Sequence, residues 1–340
     1  MTSEREPSTS MTAAHFAEYG APDVVRSATR PRPTIVRPDD ILVRTRAAAL
    51  HIGDCFVVRG RPLLVRSMSG WTRPKKGVPG FDVAGVVEAV GEAVTRFQPG
   101  DEVFGGCDQG GACAEFVAWP EKQFAKKPSR LTFEEAASMP TSGLAALHAL
   151  RDTGRLGTDS SSSEQTILIN GASGGIGTFA VQIAKIYGAE VTGVCSAANR
   201  ELVESLGADR VIDYTEEDFT TEGERYDVIF DNVENRSLAE VRRALKPRGT
   251  LILNSGTGAS GLAFVVRLLR PLLLSPFSKQ RLCRYLSVPN GKDLDQLSEW
   301  VESGRLTPMI DRVVPFAEVA KALHHLETGR GRGKVVVAGP

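Results

Sequence analysis

The sequence carries no excess of charge of either sign: 41 Lys and Arg stand against 41 Asp and Glu. That balance removes any composition argument for nucleic acid or an acidic membrane as a partner. Cysteine is scarce as well. Cys55, Cys107, Cys113, Cys195 and Cys283 are odd in number, scattered, and never spaced as C-x-x-C. This excludes a disulfide framework and suits a reducing cytosol. No apolar run is long and clean enough to cross a bilayer. The most apolar stretch, 261–277 (GLAFVVRLLRPLLLSPF), is interrupted by Arg267, Arg270 and Pro271, and reads as a buried or interface helix. A signal peptide is lacking; residues 1–10 are polar and read as a disordered leader. The expected setting is cytoplasmic, with a small-molecule substrate and neither nucleic acid nor membrane as partner.

What is present centres on residues 166–188, TILINGASGGIGTFAVQIAKIYG. Ile167–Ile169 is a short apolar run of the kind that forms a buried parallel strand. Phe179, Ala180, Ile183, Ala184 and Tyr187 then repeat at helical spacing until Gly188. Between them, Ala172-Ser173-Gly174-Gly175-Ile176-Gly177 fits G-x-G-x-x-G with Ala in the first place. A helix N-terminus offers free N–H groups and partial positive charge to a pyrophosphate, and glycines let the backbone approach it. Gly174, Gly175 and Ile176 are therefore candidate cofactor contacts, and the strand–turn–helix context gives the motif its weight.

The next strand, 190–194, ends in Cys195-Ser196-Ala197-Ala198-Asn199-Arg200. An acid here would grip the ribose hydroxyls of NAD; none is present. Ser196 and Asn199 can hydrogen-bond and Arg200 brings charge, so a 2′-phosphate is favoured and the expected cofactor is NADPH rather than NADH. Asn232 and Val233 follow one later strand, and Asn254, Ser255 and Gly256 follow another, at the ends where ligands bind in such sheets.

Residues 11–118 read as short strands with Gly and Pro punctuation, a small barrel. In that reading, 61–78 is a loop and 78–91 is a pair of strands broken by glycines. Thr132 with Glu135 is a helix-capping pair, and 142–150 is a second helical run. From Thr166 onwards strands and helices alternate, with helices over 238–245, 293–303 and 316–327. This implies a doubly wound parallel sheet.

The motifs VPGFDVAGVVEAVGEAVTRFQPGDEVFG (78–105), ACAEFVAWPEKQFAKKP (112–128), EEAASMPTSGLAALHAL (134–150), NGASGGIGTFAVQIAKIYGAEV (170–191), SLGADRVIDYTEEDF (205–219) and GRGRGKVVV (329–337) together resemble the medium-chain dehydrogenase/reductase superfamily over residues 11–337. The resemblance is closest to its quinone oxidoreductase-like branch, within which a bacterial group labelled NAD(P)-dependent alcohol dehydrogenases shares the RPLLVR and LLLSPF stretches. It implies an α/β protein: a GroES-like β-barrel domain from 11–138 and 306–340, and a Rossmann dinucleotide-binding domain from 139–305. Relatives are often dimers, so a homodimer is a further expectation.

Zinc-dependent relatives carry Gly-His-Glu where this chain reads Gly80-Phe81-Asp82, and a cysteine where it has His51. The lobe of four cysteines that holds a second zinc is missing. The ligand set for a catalytic zinc is thus incomplete, and no metal is expected. Without that Lewis acid, alcohol oxidation is disfavoured, and hydride transfer to a quinone or an α,β-unsaturated carbonyl is the first reading. Zinc-free alcohol or aldehyde oxidoreduction, or an NADPH-binding protein of little activity, are the alternatives. The resemblance places His51 where relatives contact the nicotinamide end of the cofactor. His51 there can donate a hydrogen bond or a proton to the substrate oxygen, with Asp54 beside it. It also implies cofactor contacts from Tyr214, from Lys334, and from Ser142 in place of a threonine that relatives carry at Ala145.

Overall fold

The computed structural model describes residues 9–157, 165–221, 223–254, 269, 271 and 273–340. An antiparallel ribbon of β1 (Ser10–His15) and β2 (Arg26–Pro31) opens the chain. β3 (Asp40–Leu50) follows and leads into α1 (Ile52–Arg59) and α2 (Val65–Ser69). Next come β4 (Asp82–Val90), β5 (Glu102–Gly106), β6 (Phe116–Pro120) and β7 (Phe124–Lys126). After α3 (Phe133–Ala137) and α4 (Pro140–Leu147), strands and helices alternate. These are β8 (Thr166–Asn170), α5 (Gly175–Ile186), β9 (Glu190–Cys195), α6 (Arg200–Ser205), β10 (Arg210–Asp213) and β11 (Tyr226–Asp231). Then follow α7 (Leu238–Arg243), β12 (Leu245–Leu253), β13 (Arg281–Arg284), α8 (Gly291–Glu302), β14 (Ile310–Val314), α9 (Val319–Glu327) and β15 (Lys334–Ala338).

Two large sheets result. The first runs β14-β15-β3-β4-β5-β7, with β6 also on β3. β15 lies antiparallel to β3, so the C-terminal tail completes the N-terminal barrel. The second sheet is parallel throughout, in the order β10-β9-β8-β11-β12-β13. Strand order reverses between β8 and β11, and the crevice at their C-terminal ends is where a dinucleotide binds in this topology. One apolar cluster joins the sheets: Ala49, Ala84, Phe104 and Val336 of the barrel share it with Leu144, Phe179 and Phe230. The crevice therefore has a rigid floor made by both halves.

Several local expectations need correction. The chain is already paired at Ser10, opposite Pro31. The 61–78 loop contains α2. Gly85 does not break 78–91: β4 runs through it, and a Cβ there would lie 2.1 Å from the Arg44 carbonyl oxygen, so glycine is what lets β3 and β4 lie close. The 238–245 helix stops at Arg243, because Leu245–Leu253 is drawn into β12. The run 142–150 is α4 followed by a π-helical turn, His148–Thr153. The capping pair forms as expected: Glu135 N–H donates to Thr132 Oγ1 (3.2 Å), and Thr132 N–H donates to Glu135 Oε2 (2.8 Å). Ser255, Gly256 and most of 261–277 lie outside the described residues. Of that stretch, Leu269, Leu273 and Phe277 are exposed and Pro271 is buried.

Candidate active site

The glycine turn sits at the C-terminal end of β8, with Ile167, Leu168 and Ile169 fully buried beneath it. Gly171 has φ +81°, and a Cβ there would meet Val233 Cγ2 at 2.9 Å. A Cβ on Gly177 would lie 2.1 Å from the Gly171 carbonyl oxygen, so this glycine lets α5 pack onto the turn. Gly174 is the N-cap of α5 and no side chain caps it, which leaves the leading N–H groups of a twelve-residue helix available to an anion. The C-terminal tail is fastened to the same turn: Gly333 N–H donates to the Ser173 carbonyl at 3.0 Å.

At the end of β9, Asn199 donates from Nδ2 to Ser173 Oγ (3.0 Å), while its Oδ1 is buried without a partner. Tyr214, half exposed, donates its N–H to the Cys195 carbonyl (3.1 Å) and so stands beside Ser196. The acid on this rim, Asp213, is engaged by the backbone. The Thr215 N–H (3.0 Å) above all, and the Ala197 N–H, hold its carboxyl below the usual range. Arg200 departs from the simplest expectation. Its Nη1 donates to the Val211 carbonyl at 3.0 Å and lies 3.8 Å from Glu204, so its charge is near the rim but its guanidinium is tied to β10.

A second group closes the crevice at β8, β11 and β13: Asn232, Val233 and Asn254 are candidates from the sequence, whereas Asn170, Asp231, Glu234 and Arg284 are not. Asp231 Oδ1 accepts from Asn170 Nδ2 (2.8 Å), Glu234 N–H (2.8 Å) and Val233 N–H (3.1 Å). Those bonds hold the left-handed turn at Glu234, φ +53°. Burial raises the Asp231 carboxyl pKa, and its Oδ2 has no partner among the described residues. Glu234 forms a two-pronged ion pair with Arg284 (2.9 and 3.0 Å), and Arg284 also donates to the Asn254 carbonyl. Asn232 Nδ2 is buried without a partner. The available signal for Asn170 and Asp231 was their place as the polar last residue of an apolar strand.

On the barrel side, His51 is the N-cap of α1. Its backbone N–H donates to Asp54 Oδ2 (2.9 Å), and its Nδ1 accepts from the Gly53 N–H (2.9 Å). A Cβ on Gly53 would lie 2.4 Å from the ring, so glycine is required. The ring stacks at a tilt on Phe81, with centroids 5.0 Å apart. Burial lowers the His51 pKa, and the Lys334 charge adds to this against the opposing pull of Asp54 and Asp82. The ring is thus neutral, and because Nδ1 accepts, its proton is on Nε2. Nε2 is buried with no partner among the described residues. Asp54 frames the same turn: one oxygen accepts the His51 backbone N–H and the other accepts the Gly80 N–H at 2.6 Å.

Lys334 and Asp82 form a wholly buried pair, 2% and 0% exposed, with Nζ 2.9 Å from Oδ2. Asp82 Oδ1 takes both the N–H (2.8 Å) and the hydroxyl of Thr141. The Lys334 stem passes 3.2 Å from the place a Gly175 Cβ would occupy, and the buried Ser142 hydroxyl lies 3.4 Å from it. Lys334 and Ser142 flank the glycine turn, with the ammonium held by Asp82. The cysteines are all free; burial pushes the Cys55 thiol up to about 12, which makes it inert. Trp71 is 67% exposed and away from the core.

Residues 37–129 match the alcohol dehydrogenase GroES-like domain and residues 206–337 the zinc-binding dehydrogenase family. A 2-methylene-furan-3-one reductase of Solanum lycopersicum is 34% identical, over 96% of this chain and 79% of its own length. The chain belongs to the medium-chain dehydrogenase/reductase superfamily. Within that superfamily, the NADPH-dependent alkenal/one oxidoreductase of Arabidopsis thaliana chloroplasts is also 34% identical, over the same shares of the two chains. The quinone oxidoreductase of Coxiella burnetii superposes with a TM-score of 0.83 at 27% identity, over 97% of this chain and all of that one. Among the described residues of this dehydrogenase/reductase, no three His, Cys, Asp or Glu side chains gather as a metal site, and no helix is long and apolar enough to cross a membrane.

Proposed function

We propose that this oxidoreductase uses NADPH to reduce a quinone or the conjugated double bond of an α,β-unsaturated carbonyl, without zinc. The observation that carries the reading is the His51 ring: neutral, fixed by Gly53 and Phe81, and holding a buried Nε2–H that nothing among the described residues accepts. The crevice fits a dinucleotide. Asn199 Oδ1, Asp231 Oδ2 and Asn232 Nδ2 are buried polar atoms around it without partners among the described residues, and orphans of this kind call for a ligand or water. When bound, the dinucleotide supplies a hydride.

The protein does the rest by position and charge. His51 donates from Nε2 to the substrate oxygen and stabilises the negative charge that develops there. Its neutrality matters, because a neutral donor polarises the oxygen without first giving up a proton. Asp54, Gly53 and Phe81 fix the ring. The Lys334–Asp82–Thr141 knot ties β15, β4 and the start of α4 together below the crevice.

The donor set does not fit zinc. His51 Nδ1 is used by Gly53, both Asp82 oxygens are taken, and the Lys334 ammonium brings a positive charge to the place a cation would need. NADPH is favoured over NADH by the lack of an acid after β9 and by Ser196, Asn199, Tyr214 and the Arg200 charge on that rim. One relative, named an NADPH-dependent alkenal/one oxidoreductase, supports the same choice. Five free cysteines fit a reducing cytosol.

The reading is tested with NADPH carrying deuterium at nicotinamide C4 and a short enone as substrate. Deuterium at the β-carbon of a saturated ketone is the expected outcome. Deuterium at the carbonyl carbon would mean that the enzyme reduces carbonyls instead.

A further inference from the structure

Between Glu240 and Asp293 the chain has no acid. Residues 241–292 hold ten Lys and Arg and none of the 41 Asp and Glu. The neutral total therefore averages a strongly basic segment against an acidic remainder. Lys246 and Arg284 of that segment are taken up by Asp227 and Glu234; others line one surface hollow. Arg243, Phe277 and Lys279 line a single hollow between α7 and the stretch after residue 273. Arg242 fixes the two walls together by donating to Gln280 Oε1 (2.9 Å) and Ser278 Oγ (3.0 Å). Arg243, Arg248 and Lys279 are exposed, and none of the three makes an ion pair among the described residues; Glu240, bonded to the Ser237 N–H, is the acid beside Arg243. Two large apolar side chains of the same stretch of chain are exposed: Phe277 in the hollow at 90%, and Leu273, four residues earlier, at 68%.

We propose that this surface docks on an anionic phospholipid bilayer, with Arg243, Arg248 and Lys279 at the headgroups and Leu273 and Phe277 below them. Basic residues interleaved with exposed apolar ones match a membrane interface, where charge attracts and apolar side chains insert. A nucleic-acid backbone would satisfy the charges but leave Leu273 and Phe277 in water. A second copy meeting this face by two-fold symmetry would set like charges against each other. The proposal concerns a surface contact, independent of the reaction at His51.

The test is co-sedimentation of the full chain with vesicles of phosphatidylcholine alone and of phosphatidylcholine with one third phosphatidylglycerol, at low and high salt. The expected result is binding to the anionic vesicles only, released by salt because the attraction is screened. R243E/R248E/K279E should weaken that binding by about tenfold or more, and L273S/F277S should weaken it without abolishing the salt dependence. Both variants should oxidise NADPH at the unaltered rate, which shows that they are folded. The proposal is overturned if neither vesicle binds, if both bind equally, or if the charge reversal pellets as the unaltered chain does. Two further outcomes also overturn it: capture of duplex DNA in place of vesicles, or a dimer by light scattering that L273S/F277S dissociates while vesicle binding is absent.

Discussion

Replacing His51 separates its two jobs, which the structure assigns to different ring nitrogens. Nδ1 caps α1 through Gly53; Nε2 is buried with no partner among the described residues and, in the proposed reaction, donates to the substrate. Serine at this position keeps a cap, while its hydroxyl is too short to reach the substrate; alanine removes both. H51S should lose about 1 kcal/mol of stability from the contact with Phe81, and H51A about 2 kcal/mol once the cap is lost as well. Activity should follow the other nitrogen. Loss of one preorganised donor to a developing oxyanion costs about 10²–10³ in turnover, and both variants should show it equally. The pH profile adds a sign. Burial places the folded pKa below the ordinary 6.5, so the unfolded chain binds the proton more readily. The stability tied to a neutral His51 is complete above pH 6.5 and is lost as pH falls towards the folded value. Turnover depends on the folded enzyme alone, so it should stay level through pH 6.5 and decline only as pH falls towards the lowered folded value. Stability by urea titration and kcat/KM against pH are the assays. An H51S enzyme with unaltered kcat/KM across the whole pH range would refute the donor role.

Three other outcomes follow from the same geometry. K334M should cost about 3–5 kcal/mol in urea unfolding because it strands a buried Asp82 carboxylate, and D82N/K334M should recover part of that loss; equal stability of K334M and the unaltered protein would contradict the buried pair. G177A forces a Cβ within 2.1 Å of the Gly171 carbonyl oxygen and should cost about 3 kcal/mol together with NADPH binding, read by thermal shift with and without cofactor. S196D restores an acid after β9 and should lower kcat/KM for NADPH roughly 10- to 100-fold, the scale of a charged hydrogen bond, while leaving NADH usable; an unchanged cofactor preference would remove Ser196 from the phosphate site.

What was legible in the sequence was what short range encodes. A buried strand, a glycine turn and an amphipathic helix fall within residues 166–188, and the ends of the alternating strands that follow mark the crevice. What was not legible joins distant segments. Lys334 and Asp82 are 252 positions apart, so neither one's sequence neighbourhood reveals that the ammonium is held by a carboxylate. The Glu234–Arg284 pair that closes the crevice spans 50 positions and links one turn to an edge strand. Arg200 illustrates the opposite limit: its position beside the rim follows from the motif, but its bond to Val211 depends on where β10 comes to lie. Gly85 was misread because a strand glycine looks like a break, whereas here it is a close approach of two backbones.

The measurement that bears most directly on the central claim is the initial rate of NADPH and NADH oxidation by chelator-treated protein, with enones, benzoquinones, aldehydes and, in reverse, simple alcohols. The account predicts NADPH-dependent turnover of enones or quinones that chelation leaves intact. Activity abolished by chelation and restored by zinc, or confined to alcohols with NAD, would contradict it.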